Sequence, residues 1–271
     1  ETKGRGLFMG KNITTSRKIF RYDNGEMTQQ EDQMATEFPL TVMVNGEEFV
    51  TLVCSPDSLE ELVIGFLASE GVIRFKNEIK RFTIDESLGF AYVDLVSSKK
   101  LVLKDYTKRV IGSCCGKGRH FYFQQDVKTA KTAIDGVTIT PENCLALMRD
   151  MQKSSKLFRH TGGVHNAALC SADKLIAVRS DIGRHNALDK LYGYCLLHQV
   201  PVRDKLIVFS GRISSEVLLK AAKIGVSAVI SKSAPTELAI QMAEELNIMT
   251  IGFARNRSFN VYTHHERIQL T

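Results

Sequence analysis

Apolar and polar positions alternate with a period of two over residues 40–44 and 48–53, and the Asn45-Gly46 pair between them is a two-residue turn sequence. The spacing predicts a β-hairpin. Ser58, followed three residues later by Glu61, reads as a capping box. Behind it Leu59, Leu62, Val63, Phe66 and Leu67 recur at helical spacing up to a stop at Gly71. Residues 79–85 and 90–96 alternate like strands, and the pattern then weakens over 98–128. A helix is predicted from Thr140-Pro141 to about residue 156, then a hairpin over 164–170 and 174–178, then a helix after Asp181 with Leu188, Leu191, Tyr192, Cys195 and Leu196 as its apolar stripe. Asp189 and Lys190 read as charges on that helix's outer surface. From there strand and helix alternate strictly: strands at 206–209, 227–230 and 248–253, helices at 214–224 and 236–246.

Such alternation implies parallel strands joined by right-handed crossovers. The expected organisation is a polar, irregular arm over 1–35 and a small α+β lobe over 36–110. A cysteine loop over 111–126 and an α/β lobe over 127–271 follow. In open α/β sheets ligands bind beyond the carboxyl ends of the strands. Three segments fall there: 210–212, 231–236 and 252–257. They combine small residues with Arg212, Lys232, Arg255 and Arg257, and Phe253 adds an aromatic face for a purine-like ring. Two of them open helices, whose free N–H groups attract anions. Together they predict a nucleotide-like anionic ligand. Serines and threonines that merely cap helices account for the hydroxyls but not for the cations. His165-Asn166 after two glycines, and Arg184-His185-Asn186 beside Asp181, add polar side chains to the same prospective pocket.

Composition narrows the chemistry. With 271 residues, 44% of them hydrophobic, the chain can bury a substantial core, and a net charge of +6 suits an anionic small ligand or an acidic partner. The basic residues form no block interleaved with aromatics, so a nucleic-acid partner is not expected. Six cysteines are present and none forms a C-x-x-C pair, so no zinc site is expected. Unpaired cysteines fit a reducing compartment, and no leader or membrane-length apolar run is visible, so a cytoplasmic protein is expected. Cys54, Cys144, Cys170 and Cys195 sit in apolar surroundings, as buried cysteines do. Cys114 and Cys115 differ. They are adjacent, flanked by glycine, and surrounded by Lys108, Arg109, Lys117, Arg119 and His120. Nearby cations lower a thiol pKa, which describes an accessible nucleophile; an unpaired basic surface loop has the same composition. Gly116-Lys117 lacks the remaining residues of a phosphate loop.

Five segments carry a resemblance: 161–169, 181–193, 209–217, 231–239 and 251–263. In order and spacing the chain closely resembles the formate dehydrogenase accessory sulfurtransferase family, FdhD. The resemblance implies a C-terminal three-layer lobe like that of cytidine deaminases, and a homodimer. It also implies a sulfurtransferase that accepts persulfide sulfur from a cysteine desulfurase. That sulfur goes to the molybdenum bis(molybdopterin guanine dinucleotide) cofactor of formate dehydrogenase. The family's Cys-Gly-x-Cys loop aligns without a gap on Cys115, with Gly118 in place of the second cysteine, so Cys115 is the implied carrier and Cys114 a helper or relay; a one-residue shift would make Cys114 the carrier instead. The family's cofactor-binding segment carries over to Phe253, Ala254, Arg255, Asn256, Arg257 and Ser258. To these the residue reading adds Arg212, His165 and His185. A zinc deaminase is not expected, because His185-Asn-Ala187 lacks the glutamate and residues 210–214 lack both cysteines. The remaining alternatives are a cofactor-binding chaperone without sulfur transfer, and a thiol oxidoreductase using the vicinal pair.

Overall fold

A computed structural model describes residues 12–97, 110–111, 130–133 and 136–270. The cysteine pair at 114 and 115 lies outside the described residues. Strands β1 (Thr14–Asp23) and β2 (Glu26–Ala35) form an antiparallel hairpin. From Thr14 to Ala35 the arm expected to be irregular is therefore regular. Asn24 and Gly25 both take positive φ, 47° and 95°, which is the turn that matches strand twist. None of the twenty-two residues from 14 to 35 is buried. The absence of an apolar face is what hid this hairpin from a pattern of apolar alternation.

The small lobe is a five-stranded sheet ordered β5-β6-β3-β4-β7. Its strands are β3 (Phe38–Val44), β4 (Glu47–Cys54), β5 (Ile79–Asp85), β6 (Phe90–Leu95) and the short β7 (Val110–Ile111). Phe38, Leu40, Val42 and Val44 alternate inward along β3, as its period of two requires. Helix α1 (Leu59–Ser69) follows β4. Ser58 sits at φ 50° and makes no side-chain cap, so the expected capping box does not form. Glu61 is drawn instead to Arg179, accepting hydrogen bonds from its Nε and, at 2.6 Å, from its Nη2. A bidentate charge-assisted pair outweighs one local backbone bond.

The large lobe is a six-stranded sheet ordered β13-β12-β11-β10-β8-β9. It comprises β8 (His165–Cys170), β9 (Leu175–Asp181), β10 (Leu206–Phe209), β11 (Ala228–Ser231), β12 (Met249–Arg255) and β13 (Ser258–Thr263). As the alternation implies, β10, β11 and β12 run parallel. The hairpins β8–β9 and β12–β13 extend both sides. Helices α2 (Pro141–Ser154) and α3 (Lys156–Thr161) precede the sheet. Between strands come α4 (Arg184–Leu197), α5 (Ser215–Ile224) and α6 (Glu237–Glu245). Successive residues of β10 face opposite ways. Leu206 and Val208 pack with Cys144, Leu147 and Met151 of α2, while Ile207 and Phe209 join α4, α5 and α6. The lobe thus has helices on both faces of the sheet.

The second of these cores continues without a break into α1 and the small sheet. Helices α1 and α4 cross where Gly65 and Gly193 let the backbones touch. A Cβ on Gly65 would stand 1.8 Å from the Asp189 carbonyl oxygen, and one on Gly193 1.9 Å from that of Glu61. Among the described residues no helix is long and apolar enough to cross a membrane.

Candidate functional site

The carboxyl edge of the large sheet gathers the predicted residues. Strand β8 is antiparallel to β10, so its first residue, His165, stands at the same edge as the end of β10, with Asp181 opposite it at the end of β9. A hydrogen-bond chain runs along that edge. The Asn166 N–H donates to Ser210 Oγ at 2.9 Å, Ser233 Oγ donates to the Ser210 carbonyl at 3.2 Å, and the Phe253 N–H donates to the Ser233 carbonyl at 3.3 Å. Ser231 Oγ braces the first crossover by donating to the Gly211 carbonyl at 2.6 Å. His165 is set against this loop, its Nδ1 3.4 Å from where a Cβ on Gly211 would lie. From β8 across β10 and β11 to β12 the edge spans three strand spacings, about 15 Å, enough for an extended nucleotide-like ligand.

Phe253 is bent out of the sheet. Its φ of 53° is a left-handed conformation that a bulky residue adopts only where the surroundings enforce it. Here a register shift between Gly252 and Arg255 supplies the bulge, and Gly252 leaves room for the Ser233–Pro235 loop to lie on the strand. The Arg255 guanidinium carbon stands 5.7 Å from the Phe253 ring centroid. Asn256 (φ 56°) and Arg257 make the turn into β13, where Ser258 pairs with Arg255. Arg255, Asn256, Arg257, Ser258, Arg212 and Lys232 are all exposed at this edge. Ala254 is not: its side chain belongs to the core beneath the sheet, so only its backbone can face a ligand.

His185 lies in the first turn of α4, and its Nε2 stands 3.2 Å from Glu216 of α5 and 3.3 Å from the Arg184 Nε. That nitrogen can accept from Arg184 or donate to Glu216, not both. His165 is half-buried; burial, then Arg184, push its pKa below the ordinary imidazole value, with Asp181 opposing. His165 therefore stands neutral at pH 7 and offers an acceptor. The capping explanation of the hydroxyls holds for Ser214, which accepts from the Val217 N–H, and fails for Thr236, which makes no side-chain cap.

Asp189 and Lys190 are corrected by the structure: both are buried, at 2% and 0% exposure. Lys190 Nζ is 2.8 Å from Asp181 and 2.9 Å from Asp57. Asp189 pairs with Lys220 and accepts from Ser69 Oγ at 2.6 Å. Asp181 also accepts from the Gly183 N–H, the Asn186 amide and the Ser55 N–H. It thereby fixes the start of α4 beside His165. A signal for these residues was available: positions 186, 189 and 190 fall among the apolar positions of α4, so the helix has no polar side on which to place them.

An α/β protein whose strand-end edge presents cations and a raised aromatic ring is the class that these features define. Residues 35–269 match the FdhD/NarQ family, and the chain belongs to it. It is 97% identical over 263 residues, 97% of this chain and all of the relative, to the sulfur carrier protein FdhD of Bacillus licheniformis. To the protein of the same name from Bacillus subtilis it is 75% identical over 261 residues, 96% of this chain and all of that one. The fold matches a solved structure from Desulfotalea psychrophila, described as a formate dehydrogenase accessory protein. The TM-score is 0.77 at 23% identity, over 95% of this chain and all of that one.

Proposed function

We propose that this chain is a sulfurtransferase that carries sulfur as a persulfide on Cys115, with Cys114 beside it as helper. A cysteine desulfurase is the donor, and the molybdenum bis(molybdopterin guanine dinucleotide) cofactor used by formate dehydrogenase is the acceptor. The observation that carries this reading is one of elimination. Cys54, Cys144, Cys170 and Cys195 are all buried. Burial pushes the thiols of Cys144, Cys170 and Cys195 up to about 12 and raises Cys54 further, so none is a thiolate near neutral pH. Of the six cysteines in the chain, that leaves Cys114 and Cys115 among their lysines and arginines. In loading, the Cys115 thiolate attacks the outer sulfur of the donor's persulfide. One S–S bond forms as the other breaks, the donor cysteine leaves as thiolate, and no electrons are gained or lost overall. The exposed cations and Phe253 at the strand ends suit the guanine nucleotide portion of the acceptor.

Intact-protein mass spectrometry after incubation with a desulfurase and cysteine tests the carrier step. Wild type should gain one reductant-labile sulfur, which Cys115→Ala should lose and Cys114→Ala should keep. Loss in Cys114→Ala alone moves the carrier by one residue. No gain in wild type leaves a chaperone that binds the cofactor without transferring sulfur.

A further inference from the structure

A second concavity lies at the opposite, amino edge of the large sheet, on the seam between the lobes. It is a groove of about 450 Å³ built from four separate stretches of chain. Arg74, Phe75, Lys76 and Asn77 come from the small lobe after α1. Tyr192, Cys195, Leu196 and Gln199 come from the end of α4, with Val202 and Ile224 where the chain enters β10 and leaves α5. Lys131 closes the third side. Its segment is laced to the helix ends: the Lys131 N–H donates to the Ala222 carbonyl at 3.3 Å and the Ala133 N–H to that of Leu246 at 3.1 Å.

Its chemistry is one-sided. Arg74, Lys76 and Lys131 supply three cations, and no carboxylate is among the described residues that line it. Burial pulls the Lys131 ammonium below the ordinary lysine range, as happens to a cation that lacks a carboxylate counterion. The floor is apolar. At the rim Phe75 is held out at 63% exposure, because Glu78 Oε1 accepts from the Arg74 and Phe75 N–H groups at 2.8 and 2.9 Å and folds the loop back beneath it. Lys131 stands sixteen residues after Cys115 in the chain, and β7 ends three residues before Cys114. Both of the described segments that flank the cysteine pair are thus anchored, one on the small sheet beside β4 and one on this groove.

We propose that this groove docks the sulfur donor, through a segment of the donor protein that carries acidic side chains around an apolar anchor. The proposal rests on the sulfur-carrier reading. The carboxylates meet Arg74, Lys76 and Lys131, and the anchor packs against Phe75 and the apolar floor, which holds the donor on the chain that carries the acceptor cysteine. Charged rims of this kind act mainly on the rate of encounter.

The test compares two donors on the full chain, wild type against Arg74→Glu/Lys76→Glu and Lys131→Gln. One donor is a cysteine desulfurase with cysteine; the other is inorganic polysulfide, which needs no docking surface. Sulfur gain is followed by mass spectrometry. The expected result is loading from the desulfurase about ten-fold slower in the Arg74/Lys76 variant, more weakly so in Lys131→Gln. Raised salt should slow the wild type toward the variants, and polysulfide loading should be unchanged. Wild-type rates from the desulfurase in both variants overturn the proposal. That would also be the outcome if the groove held a small anion or another part of this chain. Equal slowing with both donors overturns it too, since the groove would then act on the cysteine and not on the donor. A wild type that loads from neither donor sinks the sulfur-carrier reading itself.

Discussion

Phe253 combines backbone strain with a place in the proposed nucleotide site. A φ of 53° costs a phenylalanine roughly 1–3 kcal/mol, which a glycine would not incur. Replacing Phe253 with Gly removes the strain together with the ring and its contact to Arg255. The melting temperature should therefore stay level or rise, while affinity for a guanine nucleotide such as GDP falls about ten-fold, a stacking loss of roughly 1–2 kcal/mol. Thermal melts and calorimetric titration of the same variant separate the two effects; a variant that binds GDP like wild type removes the ring from the site. His165 makes a second residue-scale prediction. Its folded-state pKa is depressed, first by burial and then by Arg184, so the unfolded chain binds a proton that the folded chain resists. The stability tied to His165 is thus fully present above the unfolded value near 6.5 and is lost as pH falls through the depressed folded value. NMR titration of the imidazole should place its midpoint below 6.5, and a midpoint above that would reverse the sign.

At the scale of elements, the crossing of α1 and α4 depends on two glycines. A methyl group on either would overlap a backbone carbonyl of the other helix, at 1.8 Å for Gly65 and 1.9 Å for Gly193, and backbone cannot step aside as a flexible side chain can. Gly65→Ala and Gly193→Ala should each cost about 3 kcal/mol or more in denaturant melts, at the upper end of overpacking penalties. Gly162→Ala is the comparison: its Cβ meets nothing within 4 Å, and with φ at 64° it should lose only about 1 kcal/mol. The same elements show what could be read beforehand. The β10–α5–β11–α6–β12 run was legible because each strand is a short apolar block and each helix carries one apolar stripe. Strand β13 was not, because only Phe259 and Val261 reach a core, both half-buried, with Asn260 between them exposed. Ser58 and Glu61 matched a capping box by spacing alone, and spacing could not reveal Arg179, which lies 118 residues from Glu61. That the segments at 210–212, 231–236 and 252–257 gather at one edge was legible, because parallel strands end on the same side. The shape of Phe253 was not, since a bulge depends on how β13 registers against β12.

In the whole molecule the two sheets are joined by charge as well as by apolar contact. Lys190, on α4, reaches Asp57 of the small lobe and Asp181 at the strand-end edge; Asp189 holds Ser69 and Lys220, and Lys223 Nζ donates to the Ser69 carbonyl at 2.6 Å. These contacts lie inside the apolar cluster that spans both lobes, so neither lobe can open without exposing buried charge. Heating should therefore give one calorimetric transition rather than two, and two separated transitions would show that the lobes unfold independently. The size of each contribution follows from burial. Lys190→Ala leaves Asp181, at 0% exposure, without its counterion and should cost about 3–5 kcal/mol. Asp57→Asn removes a carboxylate that is 27% exposed and leaves Lys190 paired with Asp181, so it should cost about 1 kcal/mol. Burial opposes the charge on Lys190, but Asp181 and Asp57 more than offset it and hold the ammonium above the ordinary lysine range. Its contribution is then fully present below the unfolded lysine value near 10.4 and is lost only as pH rises through the higher folded value. Denaturant midpoints for Lys190→Ala should accordingly trail wild type by a constant margin from pH 7 to 9 and converge with it only at more alkaline pH. Convergence on the acid side instead would mean that the tie between the lobes is carried by other groups.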